Sequence, residues 1–444
     1  MAAPPLRLSA DLQIDAAWVV CIEPVEPLPA HSVIVNNGVI ADVLPTAEAS
    51  ARYESARHVE LSNHILMPGL VNAHCHAAMT LLRGIADDVP LEEWLKSRIW
   101  PREAAHVSPQ FVSDGSLLAA AEMLRGGVTT CSDMYFFPEA TAGALRQAGM
   151  RVHLGLPVLE FPSAYAPNAD AYLQLGFEVR DRLRDDPLVS FSIAPHAPYT
   201  VSDQTFRKIV TFADELGLPV HTHLHETATE ISDSVAAHAQ RPVARLDALG
   251  VLGPGFLAIH AVHCDDDDLA RLARQSCHVV HCPSSNLKLG SGIAPVARMQ
   301  AAGIIVGLGT DGAASNDRLD LFEEMRIAAL IAKGAALDPT ALPARAAVAM
   351  ATLGGARALG LEGKIGSIAT GKDADLIAIS LESPEMSPMF DPYSHLVFAA
   401  GRADVTHAWV AGRSVLDQRH LTECDLPAIL RMAKYWQEKL RDPE

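Results

Sequence analysis

The sequence predicts an α/β protein: a (β/α)8 TIM-like barrel with a small β-sandwich domain built from both termini. Three observations carry that expectation. Across residues 65–364, eight short apolar runs alternate with amphipathic helical stretches, which is how repeated βα units read. The GxGxxG that would follow the first strand of an open doubly wound sheet is absent. Both flanks consist of short strands broken by Asn-Gly and Pro, with no helical period.

Taken in order, residues 1–64 hold "AWVVCIEP", "HSVIVNNGVIADVLP" and "HVELSNH". These lack the apolar surface for a core of their own, so they are expected to pair with the later flank. The barrel strands are expected in "ILMPGLVNAHCH", "GVTTCSDM", "RVHLGLPVLE", "VSFSIAPHAP", "LPVHTHLHE", "FLAIHAVHC", "CHVVHCPSSN" and "IIVGLGTDG". Helical patterns such as "DGSLLAAAEMLRGG", "TFRKIVTFADELG" and "DDDDLARLARQS" lie between them, several closed by Gly. The "DDDD" at 265–268 reads as a helix start with favourable dipole placement. Residues 365–420 return to strand character, and 421–444, with "LPAILRMAKYWQEKL", form a packing helix.

Composition narrows the function classes. At 444 residues one barrel plus a smaller domain fits, and 49% hydrophobic residues support a large buried core. Net charge is −18, with 53 acidic against 35 basic residues, which argues against a surface for nucleic acid or anionic lipid. No stretch approaches the roughly 20 apolar residues of a membrane span. The opening "MAAPPLRLSADLQID" lacks the order of a secretory signal. Seven cysteines, an odd number with no CxxC, fit reduced thiols in a cytoplasm.

The chemistry gathers at strand ends. "NAHCH" puts His74 and His76 two apart, on one face of the first strand. Alone the pair could be chance among 19 histidines. His196 ends strand four; His221, His223, His225 and Glu226 end strand five; His260 and His263 end strand six; Asp311 ends strand eight. The carboxyl ends of barrel strands are where barrel chemistry is built. Three histidines and a carboxylate, with a position left for water, suit a catalytic zinc. By alternation His221, His223 and His225 share a face, so periodicity does not choose among them. Asp311 could instead be a turn aspartate, and Glu226 a solvated helix-start carboxylate. Cys75 and Cys282 read as small core residues, having no general base of their own.

On these motifs the chain resembles the amidohydrolase superfamily, in its aminohydrolase branch. The resemblance implies metal ligands His74, His76, His223 and Asp311, with His260 beside the metal and Glu226, in HxxE spacing from His223, as acid/base. Catalysis is then assigned to Glu226, His260 and Asp311. "PSSNLKLGSGIAPV", "GTDGAASNDRLDLFEEMR", "AMTLLRGIADDVPLEEWL", "WPRE" and "APHAPY" are similar to the subgroup that deaminates methylthioadenosine and S-adenosylhomocysteine. That implies Glu103 and His196, with Glu226 and Asp311, as substrate-binding residues, Glu103 reading the ribose hydroxyls. Binuclear relatives carry a metal-bridging lysine on strand four; "VSFSIAPHAP" has none, so one divalent ion per chain is expected, most simply zinc, with iron as the alternative. Some members place an arginine at the end of strand three, where this chain has "HLGLPVLE". Methylthioadenosine or adenosine is therefore favoured over S-adenosylhomocysteine. The expected partner is a small-molecule nucleoside, with no nucleic acid or membrane, in a homo-oligomer. Alternatives are guanine or triazine amino/chlorohydrolysis on the same metal, and a non-catalytic scaffold of the same fold, against which the intact ligand set argues.

Overall fold

The computed structural model describes residues 7–441. The first six residues of the N-terminal stretch read above, and the last three of the C-terminal segment, lie outside them. The N-terminal flank supplies β1 (Leu8–Val19), β2 (Leu28–Asn36), β3 (Val39–Pro45) and β4 (Tyr53–Pro68). The eight barrel strands are β5 (Leu70–Cys75), β6 (Val128–Met134), β7 (Arg151–Val158), β8 (Val189–Pro195), β9 (Val220–Leu224), β10 (Phe256–His260), β11 (His278–His281) and β12 (Ile305–Leu308). β13 (Leu376–Ser380), β14 (Val405–Val410), β15 (Arg413–Asp417) and β16 (His420–Leu421) follow.

The two flanks meet in one mixed sheet of eight strands, ordered β16-β15-β14-β13-β4-β1-β2-β3. It curls until β3 meets the chain entering β13: Val39 bridges Asp373, and Ile40 N–H donates to Lys372 O at 2.8 Å. The curl encloses Ile14, Val33, Leu66, Leu376 and Trp409, a core that neither flank could bury alone. The sandwich expected from the termini thus takes the form of a single sheet folded on itself. Asn37 and Gly38, both at positive φ, make the tight β2–β3 turn.

Every barrel strand neighbours the next in chain order and pairs parallel to it. β6 and β7 are buried at every residue, as strands covered on both faces must be. The barrel closes where Asp311 N–H donates to His74 O at 3.1 Å. Gly309 permits that approach, since a Cβ there would stand 2.9 Å from the His74 carbonyl oxygen.

The apolar run "ILMPGLV" is not one strand. β4 pairs in the curled sheet through Pro68, past residue 64, and β5 opens the barrel at Leu70. Gly69 is the corner: a Cβ would fall 2.0 Å from Thr129 Oγ1. Arg151 on β7 ties barrel to sheet, donating through Nε to Asp375 Oδ2 at 2.9 Å and through Nη2 to Asp373 Oδ2 at 2.8 Å. The C-terminal helix Leu426–Leu440 packs on Pro109–Arg125, with Trp436 edge-on to Phe111 and its Nε1–H donated to Asp114 Oδ2 at 2.7 Å. Asp265 and Asp268 form a capping box at helix Asp266–Arg274, in line with a helix-start reading of the acidic run. No helix among the described residues is long and apolar enough to cross a membrane.

Candidate active site

One cavity of about 550 Å3 opens at the carboxyl ends of the barrel strands. His76, Glu103, His196, His223, Glu226, His260 and Asp311 line it, and His74 lies buried behind them. The expected site residues are therefore brought together from five strand ends and from the helical stretch 91–106 that roofs the cavity.

Five of them converge tightly. Asp311 Oδ1 lies 3.4 Å from His74 Nε2 and 3.2 Å from His76 Nε2. His223 Nε2 stands 3.2 Å from His74 Nε2. One atom each of His74, His223, His260 and Asp311 falls within 4.8 Å of the others. The outer ring nitrogens are tied back: His76 Nδ1 to Met134 O at 2.5 Å, and His223 Nδ1 to His196 O at 2.7 Å. His74 Nδ1 lies 2.9 Å from His221 Nε2. Carbonyl oxygens only accept, so Nδ1 of His76 and His223 carries a proton and each ring turns Nε2 inward. Inward ring nitrogens beside a carboxylate, their lone pairs free once the rings are neutral, are a donor set that a divalent cation satisfies.

The electrostatics agree with that fit. Burial holds His223 well below the ordinary histidine value and His74 down at about 4. Burial would lower His76 too, but the Asp311 carboxylate outweighs it and raises that ring to about 9. Asp311 would be raised by burial, yet hydrogen bonds from His74 and His76 hold it well below the usual carboxylate range. An ionised Asp311 among these rings favours a positive charge beside it.

Beyond the cluster stand two carboxyls. Glu226 is 7% exposed and burial raises its pKa; its Oε2 lies 3.8 Å from His260 Nε2. Glu103, also raised by burial, accepts from Tyr135 OH through Oε1 at 2.5 Å and lines the cavity. Burial keeps His196 neutral, at about 4, with Nδ1 3.1 Å from Thr200 Oγ1. The walls carry Trp94, Trp100, Phe136, Phe161 and Tyr199, and no lysine or arginine is among the described lining residues. A second chamber adjoins at Leu91, Leu95, Trp100, Tyr199, Glu226 and Leu289. It holds Lys96, paired with Glu92, and Arg245, bound to Asp203.

Some partners carry no signal in the sequence. Ser285 and Ser315 each donate to Asp311 Oδ2 at 2.7 Å, and Asn286 Oδ1 lies 2.8 Å from His260 Nδ1. These stand in the "PSSN" and "AASN" stretches, and only the fold reveals what they hold. His225 departs from the alternation expected of it. β9 ends at Leu224, and His225 turns through φ 54° to face Cys264 and Asp268 instead of the cavity. That buried trio is a hydrogen-bonded knot: Val243 N–H donates to His225 Nε2 at 3.2 Å, which leaves the ring proton on Nδ1, facing the acidic and thiol partners. His263 points to Ser291 O at 2.7 Å and lines the second chamber. Cys75 and Cys282 are wholly buried.

A barrel with a histidine–aspartate cluster at its carboxyl end defines the class of barrel hydrolases built around a metal-binding centre. The amidohydrolase family matches residues 65–415, and the chain belongs to that family. It is 44% identical over 436 residues to a 5-methylthioadenosine/S-adenosylhomocysteine deaminase of Saccharophagus degradans, covering 98% of each chain. It superposes with a TM-score of 0.97 on a zinc-bound adenosine deaminase from Xanthomonas campestris, at 48% identity, covering 98% of this chain and 100% of that one. An atrazine chlorohydrolase of Arthrobacter aurescens, at 23% identity and a TM-score of 0.89, shares the fold, covering 96% of this chain and 99% of its own.

Proposed function

We propose that this chain is a metal-dependent hydrolase that deaminates adenosine-type nucleosides, methylthioadenosine and adenosine ahead of S-adenosylhomocysteine. The observation that carries the reading is Glu226: a buried carboxyl outside the lone-pair cluster but facing the same cavity, 3.8 Å from His260. His74, His76, His223 and Asp311 would hold one divalent ion, zinc with iron as the alternative. Such an ion supplies Lewis acidity and lowers the pKa of a water toward about 7.

The protein's own groups do the rest. Glu226, whose pKa burial raises, takes the proton of the attacking water and gives it to purine N1, which makes C6 electrophilic. His260, oriented through Asn286, and Asp311 steady the oxygen added at C6. A second proton through Glu226 lets the amine leave as ammonia, and the 6-oxopurine nucleoside remains. Glu103, with one oxygen occupied by Tyr135, offers the other to the ribose hydroxyls, and His196 contacts the nucleoside.

The apolar walls support a neutral 5′ group. A carboxylate-bearing tail would have to reach the second chamber to meet a cation. The enzyme is taken as a cytoplasmic homo-oligomer without nucleic-acid or membrane partners, which the net charge of −18 supports. Ammonia release measured across methylthioadenosine, adenosine, S-adenosylhomocysteine, guanine and an aminotriazine tests the substrate reading. Highest kcat/KM on the first two is expected. Preference for guanine or the triazine would replace it.

A further inference from the structure

Glu226 sits in a three-residue turn between β9 and the helix Ala228–His238. The turn is demanding: His225 occupies the left-handed region, φ 54°, sparsely populated for a residue with a Cβ. Two backbone amides leave the strand ladder there, in a dry interior where an unpaired N–H is costly. Both donate to one side chain. His225 N–H reaches Glu230 Oε1 and Glu226 N–H reaches Glu230 Oε2, each at 2.9 Å. Glu230 is 7% exposed, and its own amide donates to the helix-capping Thr227 Oγ1 at 3.2 Å. An ordinary capping box brings the third helical residue back to the cap's own amide. Glu230 reaches the two amides before it, one of which belongs to Glu226.

We propose that Glu230 is a positioning residue for deamination: by holding both amides of the 225–226 turn, its carboxylate fixes where the Glu226 side chain meets the purine. This rests on Glu226 being the acid/base, as proposed above. Two converging donors call for two acceptor oxygens, and a glutamine would turn an NH2 toward one of them. A displacement near 1 Å at a proton-transfer group is worth on the order of 10²-fold in rate.

The test separates positioning from mere folding through the leaving group. Water adds to C6 of both adenosine and 6-chloropurine riboside, and its oxygen becomes the 6-oxo group. Ammonia departs only after its nitrogen has gained a proton, whereas chloride departs with its electron pair and needs none. Glu230→Gln and Glu230→Ala should therefore lower the adenosine-to-chloropurine kcat ratio by about tenfold or more, in the direction Glu226→Gln lowers it. KM should move less than about threefold, with metal content unchanged. A ratio taken on one preparation is independent of how much protein has folded, so a destabilised variant still reports. Loss on neither substrate, or a ratio that Glu230→Gln leaves unchanged while Glu226→Gln lowers it, overturns the proposal. A native enzyme inactive on both overturns the deaminase reading, and the role of Glu230 with it.

Discussion

Glu226 is buried and Glu103 partly so; burial raises the pKa of both, and their neighbours differ. Glu226 Oε2 faces His260 Nε2 at 3.8 Å, as the proposed proton carrier requires. Glu226→Gln should keep the metal and lower kcat by roughly 10²–10⁴-fold, the usual worth of a positioned acid/base. Near-native turnover in that variant would remove Glu226 from the proton path. Glu103 accepts from Tyr135 through one oxygen and lines the cavity. A buried acceptor left without its hydroxyl costs more than a lost apolar contact. Native enzyme should thus favour adenosine over 2′-deoxyadenosine, and Glu103→Ala should raise KM and shrink that preference with kcat little changed. Steady-state kinetics on the two nucleosides decide it; an unchanged preference would contradict the ribose role.

At the level of elements, the eight barrel strands were legible because each is a short apolar run closed by a turn. The switch at Gly69 was not, because "ILMPGLV" stays apolar on both sides of it while the chain changes sheets. The chemistry of strand ends was legible through residue type: His and Asp are conspicuous in apolar surroundings. Ser285, Ser315 and Asn286 are common turn residues, and what they hold depends on loops that only tertiary packing brings together. Glu324, on helix Leu321–Ala336, shows how those loops are joined: it accepts from Ser284 N–H at 3.1 Å and Asn316 Nδ2 at 2.8 Å. Burial pushes its carboxyl from 4.5 up to about 8. The folded chain therefore keeps a proton that the unfolded chain releases above 4.5. That contribution to stability is full below the unfolded value and lost as pH rises through about 8. Urea midpoints at pH 6 and pH 9 should differ less in Glu324→Gln than in the native protein; an equal difference would contradict the assignment.

Across the whole molecule, the barrel and the curled sheet are stitched by a buried charge cluster. Arg151, 2% exposed, meets Asp375 and Asp373 from the loop entering β13, and Asp375 also accepts Ala411 N–H at 2.7 Å. Removing one partner of a buried pair leaves the other charged and unpaired. Arg151→Met should cost roughly 3–5 kcal/mol in denaturant unfolding. The site lies at the opposite, carboxyl ends of the strands, so turnover per folded molecule should hold. Loss of under about 1 kcal/mol would mean that the apolar interface alone joins the two sheets.

The central claim is that one cation held by His74, His76, His223 and Asp311 makes this chain a deaminase. Chelated enzyme titrated with zinc, while methylthioadenosine turnover and bound metal are followed together, tests it most directly. Activity should rise from near zero in proportion to metal and level off at about one equivalent per chain, and His74→Ala should neither bind nor react. Full turnover in the metal-free protein, or a rise that continues to two equivalents, would contradict it.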